Sequence, residues 1–165
     1  ATLLLDLLSP DEADDRRKIF DIDLLADRLL LAQHWLQTHA STRTLRTGYF
    51  GASTGAGAAL QAAAREPDAV GAVVSRGGRP DLAGPYLSRV IAPTLLLVGG
   101  EDGPVIGMNE EALGQLTCQK RLIIIPGATH LFEEPGTLEQ VAQEALNWFR
   151  RYLHPAPYQP KELLP

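Results

Sequence analysis

The sequence predicts an α/β fold: a mostly parallel sheet with helices on both faces. Three observations lead there. Short runs of strand length recur that are uniformly apolar rather than alternating, as strands buried on both faces must be. The segments between them carry helical spacing. The two kinds of segment alternate along the chain, as a sheet built of crossover units requires. No internal repeat and no linker interrupts this order, so residues 1–153 read as one domain and 154–165 as a Pro-rich, poorly ordered tail. With 165 residues, 45% apolar and 21% charged, the chain is globular in composition and long enough to bury its own core.

The elements follow in order. Thr2-Leu3-Leu4-Leu5 is a short apolar run, read as a buried strand, and Ser9 to Asp15 is an acidic, Pro-containing loop. From Asp21 to about Thr38, Ile22, Leu25, Leu29, Ala32 and Leu36 recur at three and four residues and share one helical face, with Asp21 or Asp23 as N-cap. Leu45 to Phe50 is a strand, and Gly51 to Gly55 a tight turn. Ala56 to Arg65 is an Ala-rich helix that stops before Pro67. Val70 to Val74 is a strand. Arg76 to Leu87 is a Gly- and Pro-containing loop with room for one short helical turn. Pro93 to Val98 is a continuous apolar strand, Asn109 to Leu116 a short helix, and Arg121 to Ile125 a further buried strand. Glu139 to Leu153 closes the domain as a helix with Val141, Ala145, Trp148, Phe149 and Tyr152 on one face.

Composition also limits partners and compartment. A formal net charge of -5 argues against nucleic acid or an anionic membrane surface as the main partner. No apolar stretch approaches the roughly 20 residues of a membrane span. Ala1 to Leu8 has no basic leader, so it does not read as a signal peptide, and the start at Ala rather than Met fits a processed or truncated chain. The single cysteine, Cys118, cannot form an intrachain disulfide and reads as structural. That fits a reducing compartment, and the expected location is cytoplasmic.

Three signals carry chemistry. Gly51-Ala52-Ser53-Thr54-Gly55 is a G-x-S-x-G between a strand and a helix. A serine there must be lifted above the sheet on a sharp, strained turn, and small neighbours relieve the crowding. The helix that follows aims its N-terminus at the site, so the Thr54 N–H can help stabilise an oxyanion. Asp102 stands just past the strand ending Leu97-Val98-Gly99-Gly100, where open α/β sheets build their sites. It can hold an imidazole in one tautomer, with Glu101 as the neighbouring competitor. His130, in Pro126-Gly127-Ala128-Thr129-His130, is the one histidine of four that follows a strand's carboxyl end; His34, His39 and His154 lie on a helix, at its end and in the tail. Serine, aspartate and histidine thus occur in α/β-hydrolase order, each after a different strand. No phosphate loop, completed dinucleotide fingerprint or metal-ligand spacing is present, so no metal and no cofactor is expected.

The stretch Gly48 to Ala56 around the elbow, the loop Ser75-Arg76-Gly77-Gly78-Arg79-Pro80-Asp81-Leu82 and the histidine loop Pro126 to Gly136 resemble dienelactone-hydrolase-like α/β hydrolases. The resemblance runs to about Leu153. It implies acyl transfer of esterase or lactonase type by Ser53, Asp102 and His130 on a small-molecule ester. A serine nucleophile, where the nearest members often carry cysteine, leans toward general carboxylesterase work. Arg76, Arg79 and Asp81 can touch substrate, or Arg and Asp can pair within the loop.

The resemblance also implies an α/β-hydrolase fold lacking its first strands. The family's loop with a second oxyanion donor precedes the strand that Thr2 to Leu5 resembles. The strand expected between Thr2–Leu5 and Leu45–Phe50 is missing too. Loss of one oxyanion donor costs roughly 2.7–4 kcal/mol of transition-state stabilisation. An unpaired sheet edge follows, and with it a homo-oligomer, a dimer, to cover it. The competing expectation is a weakly active remnant serving in interaction or structure.

Overall fold

The computed structural model describes residues 1–154. In chain order the elements are α1 (Pro10–Ala13), α2 (Arg16–Ile19), α3 (Ile22–Thr38), β1 (Thr47–Ala52), α4 (Thr54–Arg65), β2 (Val70–Arg76), β3 (Thr94–Gly99), α5 (Gly103–Gln115), β4 (Lys120–Ile125) and α6 (Thr137–Leu153). Short 3-10 segments lie at Pro67–Ala69 and Pro80–Arg89. The four strands are all parallel and adjacent in chain order, β1-β2-β3-β4.

Burial follows position in the sheet. Every residue of the interior strand β3 is buried, whereas the edge strands β1 and β4 each leave residues open to solvent. Successive side chains point to opposite faces. Val73 and Leu96 therefore join Tyr49, Leu60, Ala112 and Leu116 beneath α3, α4 and α5. Ala72, Val74, Leu95 and Leu97 instead meet Val141, Ala145 and Trp148 of α6 on the other face.

The Ala-rich composition of α4 is a packing requirement as well as a helix preference. Ala58, Ala59, Ala62 and Ala63 are buried. A Cβ on Gly57 would stand 2.9 Å from the Arg79 carbonyl oxygen, so α4 can lie directly against the chain that leaves β2. Asp21 caps α3 by accepting the Leu24 N–H at 3.0 Å.

Three expectations need correction. Thr2 to Leu5 is not a strand: it has no regular structure, and Leu4 is 89% exposed. A strand needs a neighbour for its backbone groups, and among the described residues the sheet holds only β1 to β4, none of which pairs with this segment. The second correction concerns the acidic loop Ser9 to Asp15, which contains α1 and leads directly into α2. The segment is held by charge rather than by a ladder. Arg28 of α3 donates to the Leu7 carbonyl at 2.7 Å and grips Glu12, with Nη2 to Oε1 at 2.8 Å. Arg28, with Ser9 and Lys18, holds the Glu12 carboxyl far below the ordinary carboxylate range. The loop after β2 is likewise more regular than expected, forming the 3-10 segment that breaks at Gly84, where φ is 50°. The tail beyond His154 lies outside the described residues.

Cys118 packs partly buried with its Sγ 3.8 Å from Thr94 Oγ1, and burial pushes its thiol pKa up. Among the described residues no helix is long and apolar enough to cross a membrane.

These placements predict opposite responses from two leucines. Leu96→Ala, in the buried centre of the sheet, should cost about 2–5 kcal/mol in urea denaturation. Leu4→Ser should stay within about 0.5 kcal/mol of wild type. A large loss at Leu4 would show that the first residues pack against the domain.

Candidate active site

The carboxyl ends of the strands bring the candidate residues to one rim. β1 runs into a turn at Ser53, where φ is 50° and ψ is -125°. A non-glycine residue held there stores on the order of 1–3 kcal/mol of strain. The turn is tight because Gly51 allows it: a Cβ at that position would meet the Gly55 oxygen at 2.5 Å and the Ala56 Cα at 2.7 Å. Ser53 is the N-cap of α4 and Thr54 its first residue, so the Thr54 N–H is among the groups that find no acceptor inside the helix.

Asp102 occupies the corresponding place after β3, at the N-cap of α5. The loop it ends is tied to the loop after β4 by Gly100 N–H to Ile125 O at 2.8 Å and Glu101 N–H to Ala128 O at 2.9 Å. Gly99 makes that approach possible, since a Cβ there would stand 2.3 Å from the Ala128 oxygen. His130 follows on the same loop, and its Nδ1 lies 2.6 Å from Asp102 Oδ2. An ionised carboxylate only accepts, so Nδ1 is the donor in this contact, and in the neutral ring Nε2 is then the acceptor. The Asp102 side chain is 13% exposed and that of His130 40%, a sheltered acid behind an accessible ring. Of the two acids at this turn, Asp102 meets the imidazole while Glu101 is exposed.

The histidine loop has its own clasp. Glu134 Oε2 accepts the Thr129 N–H at 3.1 Å. Hydrogen bonding from Thr129, first from its side chain and then from its backbone, holds the Glu134 carboxyl below its ordinary range. Phe132 is buried beneath the loop with φ 58°.

Ser53 joins the same rim through the segment after β2. Arg76 pairs in register with Ala52, and the Arg79 N–H donates to the Ser53 carbonyl at 3.0 Å. Gly77, in the left-handed region, lies where a Cβ would be 3.6 Å from His130 Cε1. The Ser53 hydroxyl makes no hydrogen bond to the imidazole among the described residues. In substrate-free enzymes such contacts are often long and close only when substrate binds.

The two arginines behave differently. Arg79 forms a fork with Asp81 at 2.8 and 2.7 Å, the ion pair within the loop. Arg76 lies over the Phe132 ring, 5.4 Å from its centroid, and pairs with no acid among the described residues.

Sequence reasoning missed Asn109. It is fully buried on α5, donating to Gly78 O at 3.1 Å and Val105 O at 2.8 Å. The signal was a polar residue on the stripe of Val105, Ala112 and Leu116.

The dienelactone hydrolase family profile matches residues 10–153. Dienelactone hydrolase from Anabaena variabilis ATCC 29413 is 60% identical with a TM-score of 0.85, over 90% of this chain and 71% of that one. Est1E from Butyrivibrio proteoclasticus superposes with a TM-score of 0.65 over 78% of this chain and 71% of that one. At 15% identity it shares the fold alone. Two relatives from Mycobacterium tuberculosis strains, each provisionally named a phosphoribosyl transferase, are 58% identical over 153 residues. Those residues make up 93% of this chain and 34% of each relative, so the chain spans about a third of their length. With its parallel sheet, its elbow after β1 and a family match over nearly its whole length, the chain belongs to the dienelactone hydrolase family.

Proposed function

We propose that this chain is a serine hydrolase that cleaves small carboxylic esters through an acyl-enzyme. The observation that supports it most is the 2.6 Å contact of His130 with Asp102 on the rim where the Ser53 turn also ends. Ser53 Oγ attacks the ester carbonyl carbon as His130 Nε2 takes its proton. The oxyanion that forms lies toward the Thr54 N–H and the positive end of α4. Asp102 stabilises the imidazolium. The intermediate collapses, and the departing alkoxide takes the proton from His130. Water then gives a proton to His130 and attacks the acyl carbon, freeing the acid and Ser53.

Phosphoribosyl transfer is assigned differently. That name belongs to proteins of which the chain matches 34%, and this chain matches the dienelactone hydrolase family from residue 10 to 153.

Hydrolysis of p-nitrophenyl acetate and butyrate tests the reading. Asp102→Asn should lower kcat by on the order of ten-thousandfold, and Ser53→Ala by on the order of a millionfold. Equal rates for wild type and Ser53→Ala would end it.

The Glu134 clasp should give the loop a pH signature. Its carboxyl titrates below the ordinary 4.5 when folded. Its stabilising bond is therefore complete above that range and disappears as pH falls through the lowered value. Glu134→Gln should lower Tm at pH 7, and the difference from wild type should vanish in acid. A gap that persists in acid would contradict this.

We also propose self-association through the β1 edge, where Phe50 is 51% exposed. Sedimentation velocity should show a dimer that Phe50→Lys dissociates; a monomeric wild type would refute it.

A further inference from the structure

One peptide group connects α5 to the elbow. The carbonyl of Gly78 accepts from Asn109 Nδ2 at 3.1 Å. The N–H of the same peptide unit, that of Arg79, donates to the Ser53 carbonyl at 3.0 Å. In a trans peptide these two groups point in opposite directions. The Gly78–Arg79 peptide is therefore strung between Asn109 on one side and the nucleophile elbow on the other.

The peptide has no slack. A Cβ on Gly78 would fall 1.9 Å from Ser75 Oγ and 2.5 Å from the Ala56 Cβ, so Gly78 is wedged between β2 and α4. Gly77, one residue earlier, is fixed by its N–H on Leu97 O at 2.7 Å and lies against the His130 ring. Asn109 stands on α5 seven residues after Asp102, the N-cap of the same helix. One rigid element thus presents the carboxylate that orients His130 and the amide that sets the shelf beside that ring.

We propose that Asn109 is a positioning residue: through the Gly78–Arg79 peptide it holds the Ser53 elbow and the shelf beside His130 in register with Asp102. The inference rests on the hydrolase reading for its effect on turnover, though not for its effect on the imidazole. Its removal leaves the Gly78 carbonyl buried without this donor and lets the peptide rotate. Both partners of the proton transfer then lose their common reference.

The test uses Asn109→Leu, which keeps the volume and removes the donor. Asn109→Ala serves where the leucine does not fold. Gln33→Leu is the control, a buried amide on α3 that bonds Thr47 Oγ1 and Ala69 O. Turnover of p-nitrophenyl butyrate is measured alongside the downfield NMR resonance of the His130 Nδ1 proton. The expected result is a kcat lowered on the order of tenfold with KM unchanged, within the hundredfold that a misplacement of about 1 Å costs. The His130 resonance should shift or broaden in the Asn109 variants and stay in place in Gln33→Leu.

An unchanged resonance in Asn109→Leu, or the same change in Gln33→Leu, overturns the proposal whatever happens to the rate. A changed resonance in a protein whose wild type hydrolyses no ester keeps Asn109 as the positioning residue and removes the hydrolase reading instead.

Discussion

The site depends on two loops, after β3 and β4, coming close enough for a carboxylate to meet an imidazole. Asp102 and His130 are 28 residues apart and reach 2.6 Å. Parallel strands that are neighbours in the sheet release their loops side by side at the same rim, so the fold supplies most of that convergence. The last part comes from Gly99. Any side chain there would occupy the space of the Ala128 carbonyl, and the ladder from Gly100 and Glu101 to the next loop could not close.

The same economy recurs at the elbow. Ser53 occupies a strained backbone conformation, and strain survives only where surroundings over-determine it. Here the surroundings are Gly51 beneath the turn, the start of α4 above it and the Arg79 amide on the Ser53 carbonyl. The small residues of α4 serve this arrangement too. They let the helix approach the segment after β2, which in turn touches both the elbow and the histidine ring. Packing and site geometry are therefore one problem in this chain: a larger residue at Gly51, Gly57 or Gly78 would disturb both.

The Mycobacterium tuberculosis relatives bear a name that concerns a different reaction, in proteins where this chain accounts for about a third of the length. The hydrolase family and fold belong to the matched residues themselves.

The sequence by itself determined the parallel sheet, because Leu95-Leu96-Leu97-Val98 and Val70 to Val74 are apolar without alternation and can only be buried on both faces. It also determined the elbow and the order of Ser53, Asp102 and His130, since turn chemistry and strand ends are local. Thr2 to Leu5 shows where local reading fails. Four residues of strand-like composition remain irregular when no neighbour completes their ladder, and pairing is not written in a segment's own composition. Only the tertiary structure decided between Asp102 and Glu101, paired Arg79 with Asp81, and revealed Asn109. Each of these turns on the direction of a side chain relative to a segment distant in the chain. Residue type and spacing fix an element, whereas the partner across a packed interface is fixed by how the elements stack.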